Sequence, residues 1–571
     1  MGRLLRGLSV GVLLGFGWSA NLGGQTTDSP AAPRVIDVDC SAVKGPRSTV
    51  YKRCVGAGRV GEGLRADWQA QLKTCKDAIG FEYLRCHGLL HDELGVYRED
   101  PQGNAIYNWQ YIDMVYDYLL SIHVRPFVEI GFMPDDLASI KLDDKNPADL
   151  TANDPAHPEK LRNISVFWWK ANVTPPKSYD KWDALIRALV QHWTDRYGAD
   201  EVTQWYFEIW NEPNHPGFFS PVHEATRRDE YFELYAHTAK AVKSVNAAYR
   251  VGGPAAAGNT WVPELIDYCS KNQVPLDFIS YHAYGIGGPP GSTAPGSRGG
   301  GSGLDVEGKK MLWVSRNLHG SADGANSRIR DIAKSAMPKL PIHITEWSAS
   351  FSNHDPVHDS FFEAPYILEQ LKHTETLGSM SYWTFTDIFE ESGPALTPFE
   401  GGFGLINLEG IKKPAFFAYS FLNQLGDQEL VNSDERSWVA KDRSGGVQAL
   451  FWDLTDLRGN DPADDWIFFR RVLEPKPKGN VTLKLSALKP GHYHLTVSHV
   501  GYEKNDAYTA YLKMGKPSQL TPAQVADLKA RATGLPDEQR DIMVDATGSW
   551  QADFPMREDD VVLVKLTPSG G

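Results

Sequence analysis

Eight apolar runs of strand length, each ending in polar residues and followed by a helically spaced segment or a long loop, set the tightest limit on how this chain folds. They occupy residues 55–59, 81–88, 124–131, 205–213, 250–256, 278–284, 342–348 and 380–387. Segments 67–79, 111–122, 181–197, 230–245, 261–271, 326–334, 361–377 and 415–425 place apolar side chains near every 3.6 positions. Eight such units imply a closed (β/α)8 barrel, an α/β fold. Past about residue 425 the texture changes to short β-rich stretches at 446–452, 466–470, 481–485, 492–500 and 560–566, with one helical patch at 522–532. That pattern reads as a C-terminal β-sandwich. The expected organisation is a signal peptide at 1–24, a barrel at 34–425 and an accessory sandwich at 426–571.

Arg3 and Arg6 precede an apolar run from Gly7 to about Trp18, the pattern of a secretory signal. The protein is therefore expected to be exported, periplasmic or secreted. That run is shorter than the roughly 20 residues of a spanning helix, and no other stretch approaches the length, so no membrane association is expected after its removal. Asp and Glu number 72 against 58 Lys and Arg, a net charge of −14, the wrong sign for a partner of nucleic acid. Five cysteines (Cys40, Cys54, Cys75, Cys86, Cys269) leave at least one unpaired within the chain. Cys40 with Cys54 could close a short loop; buried free thiols are the alternative.

In such a barrel the chemistry sits at the carboxyl ends of the strands. The second run ends Arg85-Cys86-His87-Gly88, the fourth Glu208-Ile209-Trp210-Asn211-Glu212-Pro213, and the sixth Tyr281-His282-Ala283-Tyr284. The seventh ends Thr345-Glu346-Trp347 and the eighth Trp383-Thr384-Phe385-Thr386-Asp387. Alternation puts Arg85 with His87, Glu208 with Glu212 and His282 with Tyr284 on common faces. Glu212 and Glu346 end strands on roughly opposite sides of the mouth. Glycoside cleavage needs such a pair: one carboxyl protonates the departing oxygen and the other meets the charge at the anomeric carbon. No zinc motif of the His-Glu-x-x-His kind, strand-associated Gly-x-Gly-x-x-Gly or phosphate loop occurs, so neither a metal nor a cofactor is expected.

The Asn211-Glu212-Pro213 motif is that of the large clan of retaining barrel glycosidases. With Tyr83-Leu84-Arg85-Cys86-His87-Gly88, Trp168-Trp169-Lys170-Ala171-Asn172-Val173, Ser280-Tyr281-His282-Ala283-Tyr284 and Gly401-Gly402-Phe403-Gly404, the chain resembles glycoside hydrolase family 39, the β-xylosidase and α-L-iduronidase family. The resemblance runs from about Val55 to Leu425 and continues more weakly into the last domain. It implies Glu212 as general acid/base and Glu346 as a nucleophile forming a covalent glycosyl intermediate. Asn211 would bond the sugar 2-hydroxyl, His87, His282 and Tyr284 would surround the sugar, with Tyr284 touching the nucleophile, and Trp383 would form the floor. Glu391 matches a carboxylate that receives sugar hydroxyls, although the pair Glu390-Glu391 leaves open which neighbour faces the site. Arg85 is expected to pair with Glu208 or to act on Glu346, and Glu129, Asp387 and Glu400 read equally well as structural.

Iduronate carries a carboxylate where xylose carries nothing. Residues 381–411 hold Asp387, Glu390, Glu391 and Glu400 but no Arg or Lys, a segment that would repel an anionic sugar. The expected substrate is a xylo-oligosaccharide, cleaved from its non-reducing end. The alternatives are a retaining glycosidase for an α-L-arabinoside or α-L-iduronide, and a carbohydrate-binding protein without turnover. The sandwich is expected to be structural and a candidate homo-oligomer interface.

Overall fold

The computed structural model describes residues 34–142, 164–222, 226–258, 260–285, 334–372, 374–457, 461 and 465–569. The expected signal peptide, most of the Gly-rich stretch 285–303 and nearly all of the expected helix 326–334 lie outside these residues.

All eight expected strands form: β1 (Cys54–Arg59), β2 (Tyr83–His87), β3 (Arg125–Ile130), β4 (Tyr206–Ile209), β5 (Arg250–Ala256), β6 (Phe278–His282), β7 (Ile342–Trp347) and β8 (Ser379–Tyr382). They pair in parallel and close into a barrel, with β8 returning to β1. Helices α1 (Ala66–Ile79), α2 (Gln110–Ser121), α3 (Tyr179–Tyr197), α4 (Arg227–Val245), α5 (Val262–Asn272), α6 (Glu363–Leu371) and α7 (Pro414–Asn423) follow strands as the periodicity predicts. In α1 the buried side chains Trp68, Leu72, Cys75 and Ile79 recur every three or four residues, and Gly80 ends the helix in the left-handed region that favours glycine. Helix α3 begins at Ser178, whose hydroxyl accepts the Lys181 amide. Helix α6 is shorter than expected: the Thr374 hydroxyl donates to the Leu371 carbonyl and closes its last turn.

Inside the barrel, inward residues two apart on β2, β3 and β4 set successive layers. Tyr83, Phe127, Tyr206 and Phe278 form an aromatic plug at the amino end, with Cys54 among them. The next inward positions carry Arg85, Glu129 and Glu208, all buried. The barrel axis thus passes from apolar to charged toward the carboxyl end.

Two sheets form the sandwich, of three and seven strands. Ile36, Val38, Leu483, Phe554, Val562 and Leu566 are among the side chains packed between them. The expected domain limits need correction at the start of the chain. Arg34–Asp39 pairs in parallel with Pro477–Ser486, and Val43–Pro46 pairs antiparallel with Gln428–Leu430. Residues 34–46, assigned to the barrel by position alone, are therefore sandwich strands, because Ile36 and Val38 alternate into that core. Residues 466–470 also differ from expectation: a helical turn, Asp465–Phe468, replaces the strand, and Phe469 packs against Phe362 beside the barrel. All five cysteines are buried free thiols, so the Cys40–Cys54 pairing does not form. No helix among the described residues is long and apolar enough to cross a membrane.

Close approach, rather than backbone angle, requires Gly56 on β1: a Cβ there would run into the Trp383 indole. Gly56→Ala is expected to cost about 1–3 kcal/mol through overpacking. Urea unfolding checks this, and an unchanged midpoint would mean that the indole has room to move.

Candidate active site

Arg85 is the centre of the site. Its side chain is fully buried, and it donates from Nη1 to Glu346 Oε1 at 2.7 Å, from Nη2 to Asn211 Oδ1 at 2.9 Å, and from Nε to Glu208. Nη2 also lies 2.8 Å from Glu129 Oε2. Both expected partners, Glu208 and Glu346, are thus engaged at once. The remaining Glu208 oxygen, Oε1, accepts the Thr345 hydroxyl at 2.9 Å.

Glu346 receives more than Arg85. The Tyr284 hydroxyl donates to Oε2 at 2.6 Å, His282 Nδ1 lies 3.3 Å from the same oxygen, and His87 Nε2 is 3.5 Å from Oε1. Burial and the adjoining Glu346 carboxylate hold the Tyr284 phenol well above its ordinary pKa, so it stays a donor.

Glu212 has a different setting. The chain leaves β4 through Trp210 and Glu212, both with positive φ, and the Glu212 amide donates to the Ala255 carbonyl at 2.8 Å. This turn ends the alternation expected along 205–213; it carries Glu212 to the mouth while Glu208 stays in the barrel. Burial raises the Glu212 pKa, and the charges of His215, His87 and Arg85 offset this only in part. Its Oε1 is hydrogen-bonded to His282 Nδ1 at 2.8 Å. Burial lowers His282 to about 4, so this neighbour is a neutral imidazole that does not draw the proton from Glu212.

A carboxylate oxygen of Glu212 and one of Glu346 lie within 4.8 Å of each other. Carboxyl groups about 5–5.5 Å apart suit direct attack with retention, whereas inversion needs about 6.5–9.5 Å to admit a water.

His87 links the two halves of the pocket wall. Its Nδ1 contacts Glu129 Oε2 at 2.7 Å and its Nε2 lies 3.4 Å from Glu391 Oε1. Burial alone would lower its pKa, but Glu129, Glu391 and Glu346 outweigh that and raise it to about 10. Glu391 moves up to about 7 through burial, which the bond to His87 only partly opposes. The Trp383 ring packs against His87 at 4.6 Å between centroids, and the Phe167 ring stacks on His87 at 5.7 Å.

Every residue expected in the site is therefore gathered there: Glu212, Glu346, His87, Asn211, His282, Tyr284, Trp383 and Glu391. Of the neighbouring pair, Glu391 faces His87, while Glu390 turns to Arg59 at 2.7 Å and Arg65 at 3.1 Å. Glu129, which sequence left open, belongs to the site through Arg85 and His87. The alternation that selected Glu208 also selects it, since the two stand in register on adjacent strands. Phe167 carried no sequence signal beyond its place in an inserted segment.

The acids of residues 381–411 do not stand uncompensated as the sequence suggested. Asp387 bonds the buried Lys413 ammonium at 2.6 Å, Glu390 is paired with two arginines, and Glu400 accepts the Leu396 amide at 2.9 Å. The cations come from outside the window, from Lys413 beyond it and from Arg59 and Arg65 in the first βα unit. Of the four acids, Glu391 is the one at the pocket wall.

The model of glycosyl hydrolases family 39 matches residues 34–143 and 157–549. The chain belongs to glycosyl hydrolase family 39. A β-xylosidase of Caldicellulosiruptor saccharolyticus is 39% identical over 496 residues, covering 85% of this chain and 88% of its own. One from Geobacillus stearothermophilus is 40% identical over 416 residues, covering 72% and 75%. The crystal structure of the family 39 enzyme from Xanthomonas axonopodis pv. citri matches with a TM-score of 0.84 at 36% identity, over 96% of this chain and 99% of that one. This family 39 protein is a glycoside hydrolase, and the alternative of a binding protein without turnover is set aside.

Arg85→Met strands three buried carboxylates, Glu129, Glu208 and Glu346, without their shared cation. Breaking a buried ion pair from one side costs about 3–5 kcal/mol. Denaturant unfolding of the variant is expected to show a loss of that size; a loss below about 1 kcal/mol would mean that the carboxylates neutralise themselves by taking up protons.

Proposed function

We propose that this family 39 enzyme is an exo-acting β-D-xylosidase that releases xylose from the non-reducing end of xylo-oligosaccharides with retention of configuration. The observation that carries the reading is the asymmetry of two close carboxyl groups: Glu346 is ringed by Arg85 and Tyr284, whereas Glu212 holds a raised pKa beside a neutral histidine.

The chemistry follows from that asymmetry. A Glu346 oxygen attacks the anomeric carbon while Glu212 gives its proton to the departing oxygen, leaving a glycosyl ester on Glu346. Glu212, now a carboxylate, takes a proton from water, which attacks the same carbon and frees Glu346. Arg85 and Tyr284 take back the Glu346 charge as the ester breaks. Asn211, its amide oxygen held by Arg85, presents the rest of the amide to the sugar 2-hydroxyl. His87 and Glu391 offer a donor and an acceptor to the other hydroxyls, over the Trp383 floor.

Two features favour xylose over iduronate. The relatives from Caldicellulosiruptor saccharolyticus and Geobacillus stearothermophilus are β-xylosidases. Arg59 and Arg65 are committed to Glu390, Lys413 to Asp359 and Asp387, and the protonated His87 to Glu129 and Glu391, so a sugar carboxylate reaching this wall would compete with carboxylates for each of these cations. Export, supported by the N-terminal sequence, would bring the enzyme to the products of xylan degradation.

Wild type is expected to turn over an aryl β-D-xyloside in preference to the α-L-arabinoside and α-L-iduronide, releasing β-xylose first in an NMR time course. Glu346→Gln on any xyloside, and Glu212→Gln on one with a poor leaving group, should each lose at least about a hundredfold in kcat/KM, the scale of a missing catalytic group. Iduronide preference, or initial release of the α-anomer, would overturn the reading. Glu212 must be protonated to act as acid, so kcat/KM should fall as pH rises through its raised pKa. With an activated aryl leaving group Glu212→Gln should abolish that alkaline fall; its persistence would assign the limb to another group.

A further inference from the structure

Adjacent glutamates after β8 point in opposite directions, and an ion cluster outside the reacting groups accounts for the division. The Glu390 carboxylate accepts Arg59 Nη2 at 2.7 Å on one oxygen and Arg65 Nη1 at 3.1 Å on the other. Its amide donates to Glu62 Oε1 at 3.1 Å, and Arg59 Nη1 donates to that same oxygen, also at 3.1 Å. Arg59 Nε completes the set with Glu93 Oε1 at 2.8 Å. Glu390 is thus gripped through side chain and backbone by one guanidinium and the glutamate beside it. Glu62 is 1% exposed, so the grip is set in the protein interior rather than on a yielding surface.

The other side of Glu391 is also fixed. Its carbonyl accepts the Trp168 amide at 2.7 Å, and the Arg59 guanidinium lies 5.8 Å from the centre of the Trp169 ring. Trp169 in turn stacks on Phe167, which stacks on His87. Arg59 therefore braces both segments that hold the Glu391–His87 pair, one from each side.

We propose that Arg59, acting with Glu62, is a positioning residue for sugar binding: by clamping Glu390 it turns Glu391 rather than Glu390 into the pocket and fixes where that carboxylate meets the sugar. The inference rests on Glu391 being a sugar ligand, as in the function proposed above. Slackening the clamp blurs an interaction made with the bound sugar and leaves the Arg85, Tyr284 and His282 contacts of the reacting carboxyls in place.

The test is a double-mutant cycle between Arg59→Met and Glu391→Gln, read as KM and kcat on an aryl β-D-xyloside, or on whichever aryl glycoside the wild type turns over best. Arg59→Met should raise KM at least about tenfold while kcat falls by less than about threefold, the signature of lost binding. In the Glu391→Gln background the same change should raise KM by less than about twofold, because its effect passes through Glu391. A purely structural role would give the same factor in both backgrounds and would overturn the proposal, as would an unchanged KM in Arg59→Met. A normal KM in Glu391→Gln alone would instead remove the sugar-ligand assignment on which the proposal stands. Should Arg59→Met fail to fold, Glu390→Gln, which keeps the shape and drops the charge, takes its place in the cycle with the same outcomes.

Discussion

One buried guanidinium organises this barrel. Arg85 joins β2 to Glu129 on β3, Glu208 on β4 and Glu346 on β7, and holds the Asn211 amide just beyond β4. Three carboxylates around a single cation leave negative charge uncompensated inside the protein, where it is expensive to keep. The surroundings answer by binding protons: His87 holds an extra one to a pKa of about 10, and burial moves Glu391 to about 7. Glu212 stands beyond the reach of the Arg85 hydrogen bonds, which is why burial controls its proton. The difference between acid and nucleophile thus follows from which of them this guanidinium touches.

Topology supplies the rest of the arrangement. Parallel strands bring all eight carboxyl ends to one rim, and inward residues two apart stack in layers, so an aromatic plug below leaves the charged layer facing the mouth. The left-handed turn at Trp210 and Glu212 then lifts one carboxyl out of that layer to meet the one from β7.

The strand ends were legible from sequence because apolar runs with polar termini are a local property. Arg85, Glu212, Glu346, His87, His282 and Tyr284 all stand at such termini. Features set by distant charge were not legible. A window from 381 to 411 looked uncompensated because its cations come from Lys413, Arg59 and Arg65. The choice between Glu390 and Glu391 depends on the first βα unit, so no local pattern could make it. Residues 34–46 misled for a related reason: their place in the chain suggested the barrel, whereas the strands they pair with, Pro477–Ser486 and Gln428–Leu430, lie beyond it in the chain.

Those strands tie chain that precedes the barrel to chain that follows it. The three-stranded sheet has Arg34–Asp39 at one edge, and the seven-stranded sheet has Val43–Pro46 at one of its own. During synthesis both segments emerge before the barrel, yet the strands they pair with, Pro477–Ser486 and Gln428–Leu430, emerge only after the whole of it. The chain thus clasps itself around its catalytic domain, and the accessory domain is finished last from pieces made at opposite times. Losing residues 34–46 would strip one edge strand from each sheet, so the sandwich is completed by chain from both sides of the barrel.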